Sequence, residues 1–509
     1  MKDGSKLFWP CLWGLISCIF STVATLRGPA IPTGDSMSYM NCGRALTESG
    51  EYSFPYYALV EGGGLVLERL EPNTVWPPLT SLILAGCLHI GFTLPVALTL
   101  VIVVFAGTSV YLSWIWAYTV TKSVRGANVV AAFITCNWAI HYWVQKSFMA
   151  EGVFLTVSLA TSLLLVKLVE REQSFSFARC AVAGLCLSPA YYIKSAGPAF
   201  LLAGAILPLA TNGAWAARFM RSVTIGGFAG LGALPWLIRN LSYNTIGSAG
   251  AGPLPNAIVV SVGELLRVFV PYHGPYAESR WTLALAAAFV GFIALWCVCV
   301  AAGRSQHNLQ RWRLESLRSP ALAFSVIYPV AFIAVILFAM YVLPIASHIE
   351  MRYWMEIVPF FLPAVWVGVR TAMSYCHSHW LVVSRVVVVL LLILIFGANV
   401  REIVRNRARD WSFVPRDQQR IRSELALALH GSKFPVRFLS NRNVKFEALT
   451  GITAWKMEIV LEAEKASYCF VEFSPAVNGT MSFDTQTIRP PTGWLRIGTI
   501  ADMTLYRAQ

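Results

Sequence analysis

The sequence predicts an α-helical protein that crosses a membrane many times and ends in a small α/β domain. Two observations carry that prediction. Hydrophobic residues make up 56% of the chain and charged residues 13%, against roughly 25% charged in soluble proteins, and mean hydropathy is +0.58. Apolar runs of the roughly 20 residues needed to span a bilayer recur up to position 400, and a polar tail follows.

Composition also excludes some classes. A net charge of +14 suggests nucleic acid in a soluble chain. Here Lys and Arg gather in short loops, where they set membrane orientation, so no nucleic-acid partner is expected. The chain has eleven cysteines, several inside apolar segments (Cys11, Cys18, Cys87, Cys136, Cys297, Cys299). They show no CxxC pair and no metal-ligand spacing, hence no zinc site or disulfide framework. The segment after Lys6 has no small-residue cleavage site and reads as an uncleaved first helix.

Taken in order, spans are expected near 7–26, 94–121, 127–144, 152–168, 178–193, 196–211, 221–238, 281–302, 320–345, 354–373 and 381–400. That is about eleven crossings. The stretch 76–92 is short and opens with Pro77-Pro78, which suit the first turn of a helix. If it stays on one side, Lys122/Arg125, Lys167/Arg171/Arg179, Arg218/Arg221 and Arg304–Arg318 share a side with Lys2 and Lys6. The positive-inside rule then makes the N-terminus cytoplasmic and 76–92 a re-entrant or interfacial helix. The acid-rich first loop, 27–93, falls outside with the tail.

Two domains are expected, a transmembrane one at 1–400 and a soluble extracytoplasmic one at 401–509. In the tail, PRDQQRIRSELALALHG reads as an amphipathic helix running from Pro415 to a stop at Gly431. VRFLS, WKMEIVL, YCFVEF and MTLYR read as strands.

Polar groups at the ends of membrane helices need a partner or a use. Asp35, just past the first span, also suits a helix N-terminus, as does Glu151 at the start of the fourth span. With two helices between them, both acids return to one face, where one carboxylate can act as base and the other hold substrate or a cation. Lys194, Arg239 and Arg352 fall on that same face. As structural residues they are snorkelling or interfacial anchors. As functional ones they bind an anion, and phosphate is the anion that arginine reads well.

These pieces, in this order, resemble the membrane-integral GT-C glycosyltransferases. The branch is that of dolichyl-phosphate-mannose protein mannosyltransferases and bacterial aminoarabinose transferases. The matching residues are Asp35 in GDSMSY, Trp76-Pro77-Pro78-Leu79, Ser147 to Glu151, Lys194 in IKSAGP, Pro235-Trp236 with Arg239-Asn240, and Arg352-Tyr353. There are two departures. Ser36, not a second acid, follows Asp35, and no basic residue flanks the proline motif.

The resemblance implies transfer of a sugar from a polyprenyl-phosphate carrier to a lipid, glycan or protein acceptor, with inversion, outside a bacterial inner membrane. Asp35 would be the base with Glu151 beside it, and Lys194, Arg239, Arg352 and Tyr353 would bind the donor phosphate. Trp76, Pro77 and Pro78 would receive lipid or acceptor, and a divalent cation is left open. The competing classes are a transporter or flippase and a non-catalytic polysaccharide-assembly protein. A transporter would show paired half-repeats with interrupted helices, and no such symmetry is visible.

Overall fold

The computed structural model describes residues 4–242, 319–342, 351–373, 393–404, 418–429, 436–440, 443–450, 452, 468–473, 494–500 and 503–508, except positions 27, 32, 172–174, 195 and 212. The expected span at 281–302, the first part of 381–400, the strand WKMEIVL, Pro415 and Gly431 lie outside these residues. Two units emerge. One comprises Met1–Phe20, Val104–Gln145 and Glu151–Asn406, and the other Ser21–Val103, Lys146–Ala150 and Arg407–Gln509.

The first unit is helical. It takes in α1 (Gly4–Ala24), α4 (Leu94–Thr121), α5 (Val124–Cys136), α6 (Trp138–Ile140), α7 (Ala150–Arg171), α8 (Phe177–Leu187), α9 (Pro189–Ile193), α10 (Gly197–Ile206), α11 (Trp215–Ser242), α12 (Pro320–Val342), α13 (Met351–Met373) and α14 (393–404). Among the described residues, Leu7–Ala24, Leu94–Thr121 and Ala150–Glu170 are long and apolar enough to cross a membrane. Small residues bring helices together where a larger one would collide. Gly14 of α1 lies against the carbonyl of Gly107 in α4, and a Cβ on Gly107 would strike Cys18 Sγ. At the centre, Trp116, Phe200, Phe324, Tyr328 and Phe360 meet edge-to-face from α4, α10, α12 and α13, the arrangement their ring quadrupoles favour.

Two expected spans are broken. The stretch 127–144 stops at Cys136, because the Asn137 side chain caps a new turn, accepting from the N–H groups of Ala139 and Ile140 at 3.1 Å each. Asn399 reinforces the break by accepting from the Trp138 N–H at 3.0 Å. A π-helical turn, His141–Lys146, follows. The stretch 178–193 divides between α8 and α9 at Ser188, since Pro189 has no N–H to continue the ladder.

The second unit is mixed. It holds α2 (Gly34–Ser49), β1 (Ser53–Leu59), β2 (Leu65–Pro72), α3 (Leu79–His89), α15 (Gln418–Ala428), β3 (Arg437–Ser440), α16 (Asn443–Thr450), β4 (Tyr468–Phe473), β5 (Trp494–Ile500) and β6 (Met503–Ala508). The first loop, read from sequence as acid-rich with a re-entrant or interfacial helix at 76–92, also contains the antiparallel β1–β2 hairpin. Gly62 and Gly63 turn it at φ 80° and 85°, backbone that other residues adopt only with strain. α3 has eleven residues, about 16 Å of helix, or half the thickness of a bilayer core. It packs on α2, where Ser81 donates to the Tyr39 carbonyl at 2.9 Å.

Tail strands form a four-stranded sheet in the order β3-β4-β6-β5, with β3 and β4 parallel. β5 and α16 were not expected from sequence. Leu59 and Val436 exchange backbone hydrogen bonds at 2.9 Å, and Leu59 joins Leu425, Phe438, Phe446, Val471 and Leu505 in one core. The tail therefore shares its core with the first loop, whereas the sequence reading assigned that loop to the 1–400 domain.

Candidate active site

In the helical unit, three segments bring charge to one buried place. Glu151 stands in the first turn of α7, where the helix dipole favours an acid. Lys194 ends α9 in extended backbone, φ −151° and ψ 144°. Its carbonyl accepts from the Gly197 N–H at 2.9 Å. A Cβ on Gly197 would lie 2.6 Å from Tyr191 Cα, so the tight turn requires glycine. Glu356 lies in the second turn of α13.

Lys194 Nζ donates to Glu151 Oε1 at 2.9 Å and pairs directly with Glu356 Oε1. All three side chains are almost wholly buried, at 6%, 1% and 0% exposed. The ammonium also sits 4.4 Å from the Tyr353 ring centroid, and the Arg352 guanidinium lies 5.2 Å from the same centroid. Arg352 and Tyr353 precede Glu356 by four and three residues, the helical spacings that put side chains on one face. Burial alone would lower the Lys194 pKa, but Glu151 and then Glu356 more than reverse that and hold the ammonium protonated. The snorkelling alternative for Lys194 is thereby corrected, because its charge turns into the protein instead of out to the interface.

The structure thus assembles four sequence-selected residues, Glu151, Lys194, Arg352 and Tyr353, and adds Glu356. Sequence reading passed over Glu356 by concentrating on helix ends. The signal was there, since an acid inside an apolar run, RYWMEIVPFF, marks a functional candidate by itself. Arg239 lies in the last turn of α11, its guanidinium 5.1 Å from the Trp236 ring centroid, in the manner of an interfacial anchor.

Asp35, Trp76, Pro77 and Pro78 belong to the mixed unit. Asp35 lies in the first turn of α2 and is half-exposed, while the N-cap is Thr33, whose hydroxyl accepts from the Ser36 N–H at 3.4 Å. Beside it, Ala30 bridges to Ser147, and the Ser36 hydroxyl donates to Met149 Sδ. The Trp76 carbonyl accepts from the Tyr52 hydroxyl at 2.6 Å, and Asn73 Oδ1 accepts from the Trp76 N–H at 3.1 Å. This holds the turn that places Pro77 and Pro78 at the start of α3.

Glu151 and Glu356 share an ammonium. Among the described residues, no three His, Cys, Asp or Glu side chains converge.

The apolar helices and the mixed unit make up a polytopic membrane protein of GT-C fold. The structural likeness that carries this is to ArnT from Cupriavidus metallidurans. The apo structure is 12% identical, covers 99% of this chain and 98% of that one, and superposes with a TM-score of 0.53. The structure bound to undecaprenyl phosphate is 11% identical, with 98% and 97% coverage and a TM-score of 0.51. The Archaeoglobus fulgidus oligosaccharyltransferase tethered to an acceptor peptide is 11% identical over 92% of this chain and 69% of that one, with a TM-score of 0.49, too low to argue from. No protein-family model matches the chain, and no curated protein matches it by sequence.

Proposed function

We propose that the chain is a membrane glycosyltransferase, moving a sugar from a polyprenyl-phosphate carrier to a lipid, glycan or protein acceptor on the outer face of a bacterial inner membrane. The observation that supports this most is the end-to-end likeness to ArnT, a protein solved with undecaprenyl phosphate bound. The buried charged group of Glu151, Lys194 and Glu356 adds chemistry to the fold.

In this reading the acceptor hydroxyl attacks the anomeric carbon while Asp35 takes its proton. The bond from that carbon to the phosphate oxygen breaks through an oxocarbenium-like transition state, as in glycoside hydrolysis. Attack opposite the leaving group inverts the configuration. Polyprenyl phosphate leaves with an added negative charge, which needs a cation held ready for it. We assign that task to Arg352, with Arg239 as the second candidate, because Lys194 turns its donors to Glu151 and Glu356. Trp76, Pro77 and Pro78 open the helix that receives the lipid or acceptor, the N-terminus is cytoplasmic, and 401–509 lies outside.

The test is glycolipid profiling of a deletion strain, together with donor consumption by the purified protein. Accumulation of a polyprenyl-linked sugar in the deletion strain, and its consumption in vitro, are expected. Unchanged lipid profiles and an inert purified protein would remove the proposal.

A further inference from the structure

Glu356 has no part in the reaction as written above, yet it and Glu151 both grip Lys194. Their other oxygens, Glu151 Oε2 and Glu356 Oε2, are buried and accept no hydrogen bond from any described residue. The Tyr328 hydroxyl is also buried without a partner there. Its ring packs on Phe360, one helical turn along α13 from Glu356, with centroids 4.9 Å apart. Folded proteins leave few buried polar atoms unmatched, and each one calls for an explanation.

A tie between helices explains one carboxylate but not two. One ammonium satisfies one acid, and a second buried carboxylate adds a desolvation penalty that a structural ion pair does not need. The two outer oxygens belong to carboxylates held on a single Nζ. Both are acceptors, so they suit a ligand rich in donors. A phosphate offers acceptors and negative charge, and these oxygens repel it. The hydroxyl groups of a sugar offer donors.

We propose that Glu151 Oε2 and Glu356 Oε2 accept hydrogen bonds from hydroxyl groups of the sugar on the lipid carrier, with Lys194 as the positioning residue that holds both carboxylates. This rests on the glycosyltransferase reading and adds a sugar subsite to it. Recognition of the donor is then divided, with the phosphate read by cations and the sugar by anions.

The experiment measures binding of undecaprenyl phosphate alone and of the same lipid carrying glucose, galactose, mannose or arabinose. The parent protein should bind at least one sugar-bearing lipid about tenfold or more tighter than the bare lipid. Glu356→Gln should abolish that gain and leave affinity for bare lipid within about twofold. On the unaltered protein, donors lacking single hydroxyl groups should lose the gain at one or two ring positions only, which covers the case of a variant that does not fold. A Glu356→Gln protein that keeps the gain, or that loses bare lipid equally, overturns the subsite and leaves the transferase reading standing. A parent protein that gains nothing from any of the four sugars overturns the subsite too. If it binds neither kind of lipid, the transferase reading falls first.

Discussion

Replacing Lys194 should destabilise the protein far more than replacing either carboxylate it holds. The asymmetry follows from the geometry, in which one ammonium serves two acids that are 1% and 0% exposed. Removing one partner of a buried pair typically costs about 3–5 kcal/mol, because the remaining charge is stranded without water. Lys194→Met strands two carboxylates and should reach or exceed the top of that range. In Glu356→Gln, Lys194 keeps Glu151 at 2.9 Å and the amide oxygen still accepts. The loss should therefore stay under about 1.5 kcal/mol, the scale of one hydrogen bond. A third variant, Glu151→Gln/Lys194→Met/Glu356→Gln, removes all three charges and should recover most of what Lys194→Met lost. The assay is thermal unfolding in detergent without ligand, followed by tryptophan fluorescence. If Lys194→Met melts with the parent, or Glu356→Gln falls further than Lys194→Met, the ion cluster is not holding α7, the α9–α10 turn and α13 as described.

Three other outcomes are expected. Asp35→Asn should leave stability within about 1 kcal/mol, since Thr33 caps α2 and a first-turn acid is worth about that much. Turnover should drop roughly 100- to 10,000-fold, the contribution of a general base, and near-parental turnover in a folded variant would reject Asp35 as base. Glu447→Ala should cost about 1.5–3 kcal/mol, because buried Glu447 accepts from Asn41 Nδ2 at 3.1 Å. The loss should appear as faster proteolysis of both the first loop and the tail, and cleavage of the tail alone would contradict the shared core. With native cysteines replaced, Ser242→Cys should label with an impermeant thiol reagent and Ser305→Cys should not, and the reverse pattern would invert the topology.

The membrane helices were legible wherever one apolar run maps to one helix, as in α1, α4, α7 and α11. They were not legible where a polar side chain turns the backbone inside such a run. Asn137 is a single polar residue inside an apolar run, and the break that it caps is also supported by Asn399, from far along the chain. The hairpin in the first loop was hidden for a related reason. SFPYYAL finds its buried face partly against the tail, and that pairing is invisible locally. At the site, Glu151, Lys194, Arg352 and Tyr353 stood out as polar residues at the ends of apolar runs. What the sequence did not disclose was that Lys194 points inward, because its second partner, Glu356, lies 162 positions later.

The bridge between Leu59 and Val436 puts a schedule on the making of this protein. Its two strands are separated by 377 positions. At about 5–20 residues per second of synthesis, the hairpin waits roughly 20–75 s before its partner strand exists. Throughout that interval Leu59, buried in the finished unit with Leu425, Phe438 and Val471, lacks that core. A message cut short before position 436 would thus leave an apolar hairpin exposed. Quality-control proteases recognise such surfaces, so completion of the C-terminus would act as the release signal for the N-terminal loop. Strains whose chain is cut short before position 436 should accordingly lose the whole polypeptide and not only its tail.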